Sequence, residues 1–237
     1  GEPLVYIKTL RILIPLLRKA YGNAIMMSVV TNGSLLTREI VDFFIQYRVQ
    51  VVISHDAQGF SLRDDKDPLF DAEKKSVWLY LLEKSREAHI EMSFNVVLTP
   101  ANADLFAIRE FFDKNFARNV RFSIEGIVTA ESDAVNTHFT AEKARMLDNS
   151  IFKAIVQDWE NWPQLMEYVE SLLARIVHRS PANTIHGKCE APSHSVLITD
   201  LFGRIISCQN RDASRYSIGS LNDLKNVRNT HLTHWSQ

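Results

Sequence analysis

Five short groups of residues carry side chains suited to holding a polar ligand: Gly1-Glu2-Pro3, Thr31-Asn32-Gly33, Ser54-His55-Asp56, Asn95, and the pair Cys189 and Cys208. A carboxylate between Gly and Pro suits pairing with an ammonium. Gly permits close approach, Pro fixes the chain, and the charge supplies the attraction. The other polar groups interrupt apolar runs, which is where a ligand reaches the end of a parallel strand. Each also has an ordinary reading, as an Asx turn, a helix cap or a hydrogen-bonded strand residue. Thirteen residues separate Cys189 from Gly203, and four separate Gly203 from Cys208. Two thiols flanking a hairpin suit an iron–sulfur cluster, or are inert buried cysteines.

The elements that must position these groups follow from periodicity. Residues 5–20 have apolar positions at helical spacing, with Pro15 as an expected kink or break. Ile25–Val30 and Val49–Ser54 read as buried strands, and Ile90–Leu98 and Val120–Ile127 read as a third and a fourth strand. Helices are expected from Thr37, a plausible N-cap, to Tyr47, over residues 72–88, and over 103–115. Helix and strand alternate four times, which implies βα units on a parallel sheet. The polar loop from His55 to Asp71 is long enough to be functional. Beyond Thr140 the chain reads as helical to about Ser180, broken near Trp162-Pro163. Two short strands then flank a Gly203 turn.

Composition removes several classes. The chain has 237 residues, 46% hydrophobic and 23% charged, as a globular protein does. With 27 basic and 28 acidic residues the net charge is −1, so no global field recruits nucleic acid or an anionic membrane. No apolar run approaches the ~20 residues that span a bilayer. No charged leader precedes an apolar core, so a cytoplasmic protein is expected. Two cysteines make no disulfide framework. The eight histidines show no metal-binding spacing, although His55 lies within a ligand-suited group.

Taken together the motifs resemble those of radical S-adenosylmethionine (SAM) enzymes with a C-terminal SPASM- or twitch-type extension, the group of sulfatase and peptide maturases. Gly1-Glu2-Pro3 resembles the end of that family's G-G-E-P motif. Thr31-Asn32-Gly33 resembles its T-N-G, and Ser54-His55-Asp56 its S-x-D-G, with Ala57 in place of the Gly. Asn95 matches a polar residue of a later strand. Cys189, Gly203 and Cys208 match the opening of the SPASM pattern, and Ile218-Gly219-Ser220-Leu221 its following I-G-x-L.

The resemblance implies an α/β fold. Most of a partial parallel (β/α)6 barrel, lacking its first strand, is expected over residues 1–140, a helical linker over 141–185, and the start of an auxiliary-cluster domain over 186–237. It implies that Gly1, Glu2 and Pro3 bind the amino group of SAM, that Ser54 and Asp56 reach its ribose or carboxylate, and that Thr31, Asn32 and Asn95 line the pocket. Cys189 and Cys208 would ligate an auxiliary [4Fe–4S] cluster. The family's C-x3-C-x2-C, which holds the radical-generating [4Fe–4S] cluster, is expected upstream of Gly1. The chain is thus expected to be an inactive fragment, with no catalytic residue of its own, of an oxidoreductase-type maturase. A peptide or protein substrate and a flavodoxin or ferredoxin as electron donor are implied, with neither nucleic acid nor membrane. Two rival readings stay open: a cluster-less barrel that binds a peptide or nucleoside, and a non-radical α/β-barrel enzyme.

Overall fold

The computed structural model describes residues 2–62, 66–116, 120–126 and 138–162, then 165, 169–170, 173–174, 176–178, 197–200, 202–206, 213–224 and 227. The chain forms two compact units, Gly1–Met166 and Glu167–Gln237.

In the first unit four parallel strands lie side by side in sequence order: β1 (Met27–Thr31), β2 (Val49–Ser54), β3 (Met92–Val97) and β4 (Arg121–Glu125). Helices α1 (Ile7–Tyr21), α2 (Arg38–Gln46), α3 (Ala72–Glu87), α4 (Leu105–Phe116) and α5 (Ala141–Gln157) alternate with and follow them. A parallel pair cannot be joined by a tight turn, so each successive pair needs a helical crossover. Of the kink or break expected at Pro15, the break is corrected: α1 runs through it. Thr37 caps α2, its Oγ1 accepting from the Ile40 N–H at 3.3 Å. Asp71 caps α3 by accepting from the N–H groups of Glu73 and Lys74. These caps fix where each helix begins and so how long the preceding loop is.

The strands are buried on one face only. Met27, Val29 and Thr31, then Val49, Val51 and Ile53, then Met92, Phe94 and Val96 point into the helices. Their alternate neighbours are half-buried or exposed, including Ser28, Ser54, Asn95 and Ser123, and Val30 is 52% exposed. The expectation of buried strands at Ile25–Val30 and Val49–Ser54 therefore holds for one face of each strand only. Apolar runs such as VQVVIS read as fully buried because valines also occupy the open face. Beneath the sheet, Trp78, Phe94, Phe112 and Phe116 form an aromatic core, with Phe94 ring centroids 4.6 Å from Phe112 and 4.9 Å from Phe116. Burying rings of this size supplies the largest share of apolar burial per residue.

In the second unit β5 (Ile198–Thr199), β6 (Arg204–Ile206) and β7 (Ser217–Ser220) form an antiparallel sheet in that order. Asp200 ties the turn between β5 and β6: its Oδ1 accepts from the N–H groups of Phe202 and Arg204, both at 2.9 Å. Gly203 there has φ +74°.

Candidate functional site

Register brings the ligand-suited residues to one rim. Thr31 lies opposite Ile53, Ser54 opposite Asn95, Asn95 opposite Ser123, and Val97 opposite Glu125. All four strands run the same way, so these residues mark their carboxyl ends.

At the first of these ends stands Glu2. It caps the short 3-10 helix Pro3–Tyr6 through a 3.0 Å bond from the Leu4 N–H to its Oε1. The Thr31 hydroxyl donates to the same oxygen at 2.7 Å, and the Asn32 N–H donates to Oε2 at 2.8 Å. A carboxylate offers about four acceptor positions. Three are filled by this chain, and the residue remains partly exposed. The carboxylate is thus held in one orientation with room for one more donor. Pro3 begins the 3-10 helix at a position whose N–H would be unused anyway.

The Thr31-Asn32-Gly33 turn is closed on itself. Thr31 Oγ1 accepts from the Gly33 N–H at 3.0 Å, and Asn32 Oδ1 accepts from the N–H and hydroxyl of Ser34 at 2.9 and 2.8 Å. Gly33 is required here twice over. Its φ is +74°, and a Cβ would lie 2.6 Å from the indole of Trp78.

At the end of β2 only Ser54 faces the open side. His55 and Asp56 are buried, at 0% and 2% exposure. His55 Nδ1 accepts from the Ala57 N–H at 3.1 Å, which leaves Nε2 as the protonated nitrogen, 3.0 Å from Asp67 Oδ1. Its ring stacks on Phe60 and Phe111 and meets Trp78 edge-on at 5.8 Å. Asp67 Oδ1 also accepts from the Leu69 N–H at 2.8 Å. Burial pushes the Asp67 carboxyl up, but the His55 and Leu69 hydrogen bonds outweigh it and hold the group below its ordinary value.

Asp56 Oδ1 accepts from the Val97 N–H at 2.7 Å, and its backbone oxygen accepts from Asn102 Nδ2 at 2.8 Å. Asn102 reaches Val97 O as well, at 3.0 Å, and its Oδ1 accepts from the Thr99 N–H. The loops after β2 and β3 are therefore locked together. Ala57 takes the left-handed φ of +51°. That conformation explains why a Gly suits this place in the S-x-D-G pattern. On the open face the Ser123 hydroxyl lies 2.9 Å from Asn95 Oδ1, extending the polar row Ser54–Asn95 onto β4.

Reading the sequence alone misses Ser123, Asp67, Asn102 and Trp78. Ser123 could have been found by counting alternate positions from Asn95 to its parallel neighbour. The other three act from loops or a helix, and no local spacing marks them. Gly1, Cys189 and Cys208 lie outside the described residues. Among the described residues no group of three or more His, Cys, Asp or Glu is arranged to hold a metal ion. The chain's two cysteines cannot by themselves supply four thiolates. This donor set does not fit a complete [4Fe–4S] site.

No family model matches the chain. It is 25% identical over 227 residues to the radical SAM cyclopropyl synthase TigE of Paramaledivibacter caminithermalis, covering 96% of this chain and 45% of that protein. The chain thus spans less than half the length of this curated relative. In fold it is similar to native anSMEcpe with bound AdoMet, with a TM-score of 0.69, 18% identity, and coverage of 99% of this chain and 66% of the other. Native anSMEcpe with bound AdoMet and Kp18Cys peptide superposes with a TM-score of 0.63 at 17% identity, covering 98% and 67%. Along nearly its whole length the chain is thus similar in sequence to a radical SAM cyclopropyl synthase, and its fold is that of the anSMEcpe structures.

Proposed function

We propose that the protein carrying this chain is a radical SAM enzyme that acts on a peptide or protein residue, and that the rim of the first unit holds S-adenosylmethionine. The observation that carries this reading is the Glu2 carboxylate, fixed by Leu4, Thr31 and Asn32 with one acceptor position to spare. An ammonium is the donor such a position takes best. A [4Fe–4S] cluster, whose ligands are not among the described residues, would supply the electron that cleaves SAM for hydrogen abstraction from the substrate.

Glu2 takes the methionine amine, and Gly1 and Pro3 are its neighbours in the chain at that site. Ser54 and Asp56 serve the ribose or carboxylate end, Asp56 from beneath by fixing the Val97 N–H. Asn95 and Ser123 line the open face, while Thr31 and Asn32 orient Glu2. The cluster ligands lie elsewhere in the protein. On this reading residues 1–140 belong to a partial (β/α)6 barrel lacking its first strand, residues 141–185 to a helical linker, and residues 186–237 to the start of an auxiliary-cluster domain that Cys189 and Cys208 would ligate. Electrons come from a small donor such as a flavodoxin or ferredoxin. The peptide held by one structural neighbour supports a peptide substrate. No helix among the described residues is long and apolar enough to cross a membrane, which is compatible with a cytoplasmic enzyme.

The test is anaerobic incubation of the full-length, iron-reconstituted protein with dithionite and SAM. Release of 5′-deoxyadenosine and methionine, detected by mass spectrometry, is the expected result. Intact SAM after prolonged reduction, with iron present, would sink the radical reading.

A further inference from the structure

Trp78 lies on α3, well away in sequence from every ligand-suited group, yet it touches two of the turns that carry them. Its side chain is completely buried. The indole Nε1–H donates to the backbone oxygen of Gly33 at 3.1 Å, and the ring occupies the space a side chain at position 33 would need. The same ring meets His55 edge-on at 5.8 Å and lies 6.0 Å from Phe94. From Gly33 the contacts lead directly to the carboxylate. The Gly33 N–H donates to Thr31 Oγ1, the Thr31 hydroxyl donates to Glu2 Oε1, and the Asn32 N–H donates to Glu2 Oε2.

We infer that Trp78 is a positioning residue for the ammonium end of the ligand, setting the Thr31–Gly33 turn that aims Glu2. The inference rests on the reading of Glu2 as the group that takes the amine of SAM. The physical reason is that Gly33 O is buried against the indole. Without that N–H the oxygen keeps only the longer, 3.3 Å bond from the Leu36 N–H, and the turn, no longer held against α3, can shift toward that remaining donor. Any such shift moves Thr31 Oγ1 and the Asn32 N–H, the two donors that reach Glu2 from this turn. On the proposed reading, the 5′-deoxyadenosine end of the ligand does not meet Glu2.

Two ligands separate positioning from general damage. SAM carries the ammonium, and 5′-deoxyadenosine lacks it. Binding of each is measured by calorimetry on the full-length wild-type protein and on the Trp78→Phe variant. Should Trp78→Phe fail to fold, 3-benzothienylalanine introduced at position 78 keeps the bicyclic shape and removes only the N–H. The expected result is a SAM dissociation constant raised about five- to tenfold, as for one lost buried hydrogen bond, with 5′-deoxyadenosine unchanged within about twofold. Equal weakening of both ligands, or no change in either, overturns the inference while the wild-type binding of SAM leaves the reading of the site intact. A wild-type protein that binds 5′-deoxyadenosine but gains nothing from the amino-acid end removes Glu2's role and this inference with it.

Discussion

Thr31 and Glu2 are joined across 29 positions of sequence by a 2.7 Å hydrogen bond from the Thr31 hydroxyl to Glu2 Oε1. The hydroxyl's other contact, from the Gly33 N–H, fixes its rotor, so the donated proton has one direction. The end of β1 therefore holds the carboxylate, and the residues read as pocket lining act first on each other.

Removing the charge while keeping the shape tests this arrangement. Glu2→Gln leaves one acceptor oxygen for three donors and presents an NH2 to at least one of them. Hydrogen bonds to charged groups contribute about 1.5–3 kcal/mol, so SAM affinity should fall more than about tenfold. Thermal unfolding of the same variant should move by only a few degrees, because Glu2 is partly exposed. Unchanged affinity in calorimetry would contradict the role of Glu2.

Ala57 and Gly59 should respond oppositely to a change of one methyl. Ala57 stands at φ +51°, a left-handed conformation costing a non-glycine residue about 1–2 kcal/mol. Ala57→Gly removes that strain but loses a buried methyl and frees the unfolded chain, so the net change should lie within about 1 kcal/mol. A Cβ on Gly59 would lie 2.8 Å from Thr99 Oγ1 and 2.9 Å from Asn102 Nδ2. Gly59→Ala should therefore cost about 1–3 kcal/mol in urea denaturation. The reverse order of the two variants would contradict the described turn.

His55 is buried with both ring nitrogens engaged, one accepting from Ala57 and one donating to Asp67. His55→Phe keeps the ring stacking but leaves the Ala57 N–H and the Asp67 carboxylate each short of a partner. At about 1–3 kcal/mol per unsatisfied group, the loss should be several kcal/mol. Circular dichroism melts of the variant beside wild type measure it. A loss below about 1 kcal/mol would mean that the His55 contacts are replaced by water.

Asp67 predicts an acid-side loss of stability. Its folded carboxyl is held below the ordinary value: burial opposes this, while the bonds from His55 and Leu69 win. The unfolded chain therefore takes up the proton first as pH falls. The Asp67 contribution is complete above the ordinary carboxylate range near pH ~4 and disappears as pH drops through the lowered folded value. Denaturation midpoints of wild type and Asp67→Asn should differ most at neutral pH and converge once the pH has fallen below the lowered folded value. A constant gap across that range would show that Asp67 contributes nothing through its charge.

Helix and strand types were legible because periodicity follows from which face meets the core. Val49–Ser54 is the strand read from VQVVIS, and Thr37 caps α2 as its side chain suggests. The edges moved by a residue or two, as with Met27–Thr31 against the expected Ile25–Val30, because strand ends are set by pairing partners. Pro15 does not end α1 because a proline's lost hydrogen bond is local, whereas the packing that sustains the helix is not.

The sequence by itself determined the order of the elements and the identity of the polar residues at their ends, since both depend on residue type and near-neighbour spacing. Tertiary structure alone decided what each of those residues does. Ser54, His55 and Asp56 are consecutive, yet only Ser54 reaches the open face; His55 and Asp56 turn inward to hold the loops after β2 and β3. Likewise Trp78 supports Gly33 from 45 positions away. Such roles are set by parallel register and by which buried groups need partners, and both are properties of the assembled sheet rather than of any short stretch of chain.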